Sequence, residues 1–237
     1  MTDIEYLKKY LPKDKLEEGL NKLKEGKPVQ YIVGNVDFYD VNLLVNENVL
    51  IPRFETETLV EKTINYAKNL KEPLDILDIG TGSGAIAITL AKHLNSNVLA
   101  TDISKEALKI AEENAKRNNV KITFKKSDIL KNIKGKFDII ISNPPYIAKD
   151  ETIDPLVEKN EPHLALYADN NGLYFYQNIL KNIKPYLKEN FLIAFEIGMT
   201  QSKVITEIAK TYLPNSIVKT EKDLTGKDRY IFISNNF

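Results

Sequence analysis

Two short stretches of this chain carry groups suited to presenting a planar nitrogen to an electrophile. In Asn143-Pro144-Pro145-Tyr146, the asparagine side-chain oxygen and the Pro144 carbonyl can both accept from one NH2 group, and the Tyr146 ring can cover its plane. The two prolines donate no backbone hydrogen bond and restrict the chain, so these acceptors stand on a stiff loop. Amide and base amino nitrogens are poor nucleophiles because the lone pair is delocalised into the carbonyl or ring. Two acceptors that orient such an NH2 and stabilise its developing positive charge work by positioning and electrostatics, with the proton lost afterwards. The sulfonium methyl of S-adenosylmethionine is a matching electrophile, and transfer to it needs no metal.

The second stretch is Asp78-Ile79-Gly80-Thr81-Gly82-Ser83-Gly84-Ala85, an apolar strand end passing through glycines into a helical pattern. Glycines there permit positive φ and let a ligand lie against bare backbone, whose N–H groups at a helix start are free to donate. Gly80, Gly82 and Ala85 fit a dinucleotide-binding pattern, and Asp102 at the end of the next apolar run suits an acid that grips ribose hydroxyls. The same geometry serves S-adenosylmethionine, so the loop by itself leaves the two ligands open. A Walker A loop is excluded, because no Gly-Lys-Ser/Thr follows. Asp128 ends a third apolar run and could accept from an adenine amino group; it could equally be a loop carboxylate.

These motifs must be held at strand ends. From Pro73 onward, short apolar runs alternate with amphipathic segments: 74–79 then 85–94, 98–100 then 105–117, 122–124, and 137–141. The alternation predicts an α/β, doubly wound sheet of parallel strands. A buried strand over 191–197, a helix to about Tyr212, and strands near 216–219 and 230–234 complete it. Ligands in such sheets bind beyond the strands' carboxyl ends at the switch in strand order, where both motifs fall. Upstream, Leu16, Leu20 and Leu23 predict a helix stopped by Gly26 and Pro28, a small cap over residues 1–28. A strand pair is expected between Tyr31 and Leu50, within a linker over 29–54. A helix carrying Leu59, Val60, Thr63 and Ile64 follows.

Composition narrows the function classes. Lysine plus arginine and aspartate plus glutamate number 33 each, so no broad attraction to nucleic acid or membrane follows from the total. The absence of cysteine excludes disulfides, thiolate nucleophiles and cysteine-based metal sites. Neither a leader pattern nor an apolar run of membrane-spanning length appears, and a soluble, cytoplasmic protein is expected. His93 reads as a helix-end residue, His163 as a loop residue, and Tyr174, Phe175 and Tyr176 as packing aromatics. Lys121 to Lys126 reads as a solvated strand.

Beyond these readings, the chain resembles the HemK-type protein glutamine N5-methyltransferases over roughly residues 28–235. The resemblance rests on residues 28–34 (PVQYIVG), 49–57 (VLIPRFETE), 78–85 and 143–146. It extends to Glu161-Pro162 with Ala165-Leu166, to 195–198 (FEIG), and to 222–224 with 228–230. It implies a seven-stranded, Rossmann-like class I sheet whose last strand is antiparallel, with residues 55–237 as the methyltransferase domain. It implies S-adenosylmethionine as cofactor, bound by Gly80, Thr81, Gly82, Ser83, Gly84, Asp102, Asp128 and Asn143. Asn143, Pro144, Pro145 and Tyr146 would hold the substrate amide, with Asn143, Pro144 and Tyr146 catalytic. The implied substrate is the Gly-Gly-Gln glutamine of peptide chain release factors. No direct nucleic-acid partner and no membrane partner is expected, and nothing suggests an obligate dimer. Phe54 or Thr56 is a candidate cofactor contact. Phe54 stands where the family usually has proline, and fewer than 30 residues precede Pro28 where the family usually carries a longer helical bundle.

Three alternatives compete. The Asn143 loop also occurs in enzymes that methylate ribosomal-protein glutamine or base amino groups, although neutral charge and the lack of a DNA-reading domain weigh against a nucleic-acid target. A nicotinamide-dependent oxidoreductase would fit Gly80, Gly82, Ala85 and Asp102 alone, but no hydride-transfer constellation accompanies them. A cofactor-binding scaffold without turnover is disfavoured by the intact Asn143 to Tyr146 loop.

Overall fold

A computed structural model describes residues 2–236. Helices α1 (Asp3–Tyr10), α2 (Leu16–Lys24) and α3 (Val29–Val33) precede a hairpin of β1 (Asn35–Phe38) and β2 (Val41–Leu44). Helix α4 (Phe54–Ala67) leads into β3 (Leu74–Ile79), α5 (Ala85–His93), β4 (Ser96–Asp102), α6 (Lys105–Arg117) and β5 (Ile122–Lys126). Next come β6 (Phe137–Ser142), β7 (Ile147–Ala148), α7 (Pro155–Asn160), β8 (Tyr167–Ala168) and α8 (Tyr174–Asn182). The chain ends with β9 (Leu187–Glu196), α9 (Ser202–Tyr212), β10 (Ile217–Lys222) and β11 (Asp228–Ser234).

Seven strands form one sheet in the order β10-β11-β9-β6-β3-β4-β5. Pairs β3/β4, β4/β5, β3/β6 and β6/β9 are parallel, and β11 lies antiparallel between β9 and β10. This is the doubly wound sheet with an antiparallel last strand that the resemblance implied. The order reverses between β3 and β6, so the loops after Ile79 and Ser142 leave the sheet side by side. Ser142 Oγ donates to the Ile79 carbonyl at 2.6 Å and pins the two exits together.

Strand periodicity sorts the core into two layers. Ile139 and Ile141 of β6 face one layer with Leu59, Val60 and the apolar side of α5; Ile140 faces the other with Tyr176, Ile179 and Ile205. Both faces of the central strands are thus covered, which explains why β6 reads as a continuous apolar run. No helix among the described residues is long and apolar enough to cross a membrane.

The amino-terminal expectations need correction. Residues 29–33 form a helix and only 35–44 the strand pair, because Gly34 at φ +83 ends α3 in a left-handed turn before the hairpin starts. Helix α1, missed in the sequence, is closed by a capping box between Thr2 and Glu5 and is anchored by the fully buried Leu7.

Asn114 of α6 joins three segments. Its Oδ1 accepts from Leu44 N–H at 2.6 Å, and its Nδ2 donates to the Leu44 carbonyl at 3.0 Å and to the Ser83 carbonyl at 2.9 Å. Asn114 is fully buried, and its bond to the Ser83 carbonyl is buried with it. Asn114→Ala is expected to lower unfolding free energy on the order of 3 kcal/mol, measured by urea denaturation, through the unpaired groups left behind.

Candidate active site

The carboxyl ends of β3, β4 and β6 open onto a cleft of about 1010 Å³. Gly80, Thr81, Gly82 and Ser83 line one wall, with Asp102 and Asp128 beside them. Gly80 and Gly82 have φ +75 and +54, and a Cβ built on either meets nothing within 4 Å. That leaves room at the cleft wall where a bound group can lie against bare backbone. Gly84, named with them in the sequence, does something else. A Cβ there would stand 3.0 Å from Ile88 and 3.2 Å from Ala111, so this glycine packs α5 on α6 and does not line the cleft.

The loop is braced from below. Thr81 Oγ1 donates to Asp78 Oδ2 at 2.6 Å, and Gly80 N–H and Thr81 N–H both donate to the Thr101 carbonyl at 2.8 Å. Burial pushes the Asp78 carboxyl up to about 7, and the nearby charge of Asp102 adds to the effect. Asp102 accepts from Gly82 N–H and Ser104 N–H, each at 2.9 Å. Burial raises its pKa, and these backbone donors pull it back. A carboxylate has about four lone-pair sites, so two backbone donors leave capacity for a pair of ligand hydroxyls.

Two apolar side chains flank the acids. Ile103 is exposed at the cleft, and Ile129 lines it at φ +51, a backbone state rare for a β-branched residue. Ser127 Oγ lies 2.9 and 2.8 Å from the carbonyls of Ile129 and Lys131, shares its one hydrogen between them and holds that turn. The sequence reading passed over both isoleucines; their one signal is that each follows an acid, Asp102 or Asp128, at a strand exit.

Beside the glycine loop, at the neighbouring strand exit, Asn143, Pro144 and Pro145 also line the cleft. Asn143 Nδ2 donates to Thr56 Oγ1 at 3.0 Å, and Thr56 Oγ1 donates to Glu196 Oε2 at 2.7 Å. Thr56 lines the cleft from the start of α4, whereas Glu196, at the end of β9, is 2% exposed. Tyr146 is placed differently from the other three residues of its motif. Its ring packs on the sheet's second core layer, its hydroxyl lies 3.4 Å from Glu196 Oε1, and it is not among the cleft-lining residues. The backbone of Tyr146 is clamped as well. Gln201 Nε2 donates to its carbonyl at 2.9 Å, and a Cβ on Gly172 would sit 2.0 Å from that oxygen, so only glycine fits there.

The outer half of the cleft is built by His163, Leu164, Tyr174 and Phe175, with Lys149 and Glu158. His163 and the first two aromatics of the 174–176 run therefore face the cleft; only Tyr176 is core, fully buried with its hydroxyl on the Glu196 carbonyl at 2.7 Å. Glu161, 4% exposed, ties this half to the segment before α4: it accepts from Ile51 N–H at 3.1 Å and pairs with Arg53.

Residues 56–192 match the family model described as "Methyltransferase small domain". A release factor glutamine methyltransferase of Streptococcus pneumoniae is 46% identical over 221 residues, 92% of this chain and 78% of that protein. The corresponding protein of Lactococcus lactis is 49% identical, with 92% and 81% covered. The chain belongs to the release factor glutamine methyltransferase family. A solved family structure, the release-factor-specific protein-(glutamine-N5) methyltransferase of Alicyclobacillus acidocaldarius, superposes with a TM-score of 0.52 at 27% identity. That match covers 81% of this chain and 99% of that one.

In this family member Glu196 is, with Asp78, one of two deeply buried carboxyl groups of the site. Burial pushes it up from 4.5 to about 7, opposed by the Thr56 hydroxyl and the Arg229 charge. A folded-state value above the unfolded one means that the folded protein holds the proton more tightly. That contribution to stability is full below about 4.5 and is lost as pH rises through about 7. Glu196→Gln keeps the shape and cannot ionise, while Asp78 titrates alike in both proteins. The stability of Glu196→Gln relative to wild type, from urea midpoints, should therefore increase from pH 5 to pH 8; a pH-independent difference would show that Glu196 does not titrate as described.

Proposed function

We propose that this protein transfers a methyl group from S-adenosylmethionine to the side-chain amide nitrogen of the Gly-Gly-Gln glutamine in peptide chain release factors. The observation that carries the reading is one cleft with two chemically distinct walls. A glycine loop with Asp102 and Asp128 shares the cleft with a proline-stiffened loop whose Asn143 and Pro144 offer acceptors. At about 1010 Å³ the cleft is at the upper end of single-ligand pockets, which suits a nucleoside-sized group together with a glutamine side chain.

The residues divide the work. Gly80 and Gly82 give backbone room to the methionine part, Asp102 takes the ribose hydroxyls, and Asp128 the adenine amino group, with Ile103 and Ile129 on the base. When bound, S-adenosylmethionine supplies an electrophilic methyl group. Asn143 Oδ1 and the Pro144 carbonyl accept from the glutamine NH2, aim its lone pair and stabilise the positive charge that grows on nitrogen. Pro145 keeps that loop stiff, and Tyr146 shapes it from behind. The proton leaves the nitrogen after transfer, so no strong base is required. In this reading residues 55–237 carry the reaction, while Glu47, Asn48, Val49, Leu50 and Pro52 of the preceding segment line the same cleft.

Purified protein incubated with a release factor and methyl-labelled S-adenosylmethionine should place the label on the Gly-Gly-Gln glutamine, mapped by mass spectrometry. Label on another protein amide or on a base amino group would keep the reaction class and overturn the substrate. Asn143→Ala should slow transfer on the order of 100-fold while leaving cofactor affinity within a few-fold.

A further inference from the structure

We propose that Thr56 and Glu196 are positioning residues: together they lock the Asn143 amide with its oxygen, not its nitrogen, toward the substrate. The inference rests on the function proposed above and specifies how its acceptor is made. An asparagine amide can present either end to a cleft, and the two ends are nearly the same shape. With the nitrogen outward, Asn143 would point a donor at the NH2 of a glutamine and repel it.

The choice is made two hydrogen bonds away. An ionised carboxylate only accepts, so the single hydroxyl hydrogen of Thr56 is committed to Glu196 Oε2 at 2.7 Å. Toward Asn143, the Thr56 oxygen can then only accept. The Asn143 group 3.0 Å away must be the donor, Nδ2, and Oδ1 is left for the cleft. A hydrogen bond to a buried carboxylate is of the stronger, charge-assisted kind, so a reversal of the chain is costly.

Burial favours the protonated form of Glu196 up to about 7, so the acceptor-only carboxylate is the state above that value, and its neighbours act in both directions. From β11, the Arg229 charge favours its ionised form, and the Tyr230 hydroxyl donates to the Glu55 carbonyl. From α4, Glu55 opposes ionisation; from the loop after β6, the Tyr146 hydroxyl faces the second carboxylate oxygen. From α8, Tyr176 donates to the Glu196 backbone carbonyl and fixes the residue's height on β9. Motif residues far apart in sequence, Thr56, Asn143, Tyr146 and Glu196, therefore form one unit.

The test is a double-mutant cycle on the full chain with a release factor and saturating S-adenosylmethionine at pH 8, above the value near 7 at which Glu196 ionises. Thr56→Val removes the hydroxyl and should lower kcat roughly 10- to 100-fold with the cofactor KM within about 2-fold. Thr56→Ser restores the hydroxyl and should come back to within about 3-fold of wild type. In the N143A background, Thr56→Val should cost less than about 2-fold, because the group it orients is gone. Additive losses, or a Thr56→Val effect confined to the cofactor KM, would overturn the relay and assign Thr56 to direct cofactor contact. Thr56→Ala repeats the cycle if the valine variant does not fold. A wild type that turns over no release factor would overturn the function itself; a working wild type with additive variants overturns only the relay.

Discussion

A carboxyl shut away from water needs donors around it to hold a charge, and Glu196 sets that condition at the centre of this molecule. Its backbone ends β9, next to the strand exit that carries Asn143. Its oxygens draw in Thr56 from the first turn of α4 and face Tyr146 from the loop after β6. Burial of an unpaired charge would cost several kcal/mol, so these partners are held in place by more than local preference. The acceptor face of the cleft is consequently set from inside the protein. The glycine-loop side has its own buried acid in Asp78, which fixes Thr81 and through it the loop. Each wall of the cleft is thus tied to a carboxylate on the core side of the sheet's carboxyl edge.

Topology brings these two supports together. The strand order reverses between β3 and β6, and the Ser142 to Ile79 hydrogen bond holds the two exits at one spot. A glycine loop alone would serve several nucleotide-like ligands, and an Asn-Pro turn alone would be a strand stop. Their adjacency is what supports the proposed reading, with an electrophile on the glycine-loop side and an amide at Asn143. The Glu161 and Arg53 pair and the clamp of Gly172 and Gln201 on Tyr146 hold the rim in the same frame.

Much of this was legible in the sequence where signals are local and periodic. Strand β3 and helix α6 could be read from apolar runs and amphipathic spacing, and Asp102 from its place at a strand end. The amino-terminal region was harder, because a five-residue helix ending at Gly34 has too few turns to show a period. Gly84 looked like its neighbours in sequence; only the closeness of Ala111 separates a packing glycine from those at the cleft. The inward setting of Tyr146, the glycine required at 172 and the Thr56 to Glu196 contact depend on pairs 26, 50 and 140 residues apart. No local pattern encodes them, although Thr56 and Glu196 both lie inside motifs that carried the family resemblance.

The most direct measurement is a crystal structure of the protein with the demethylated cofactor product and a Gly-Gly-Gln peptide, at a resolution that assigns amide orientation. The expected result places the glutamine nitrogen about 3 Å from both Asn143 Oδ1 and the Pro144 carbonyl, with Asn143 Nδ2 still on Thr56. A glutamine bound away from Asn143, or an Asn143 amide turned with its nitrogen toward the peptide, would contradict the account.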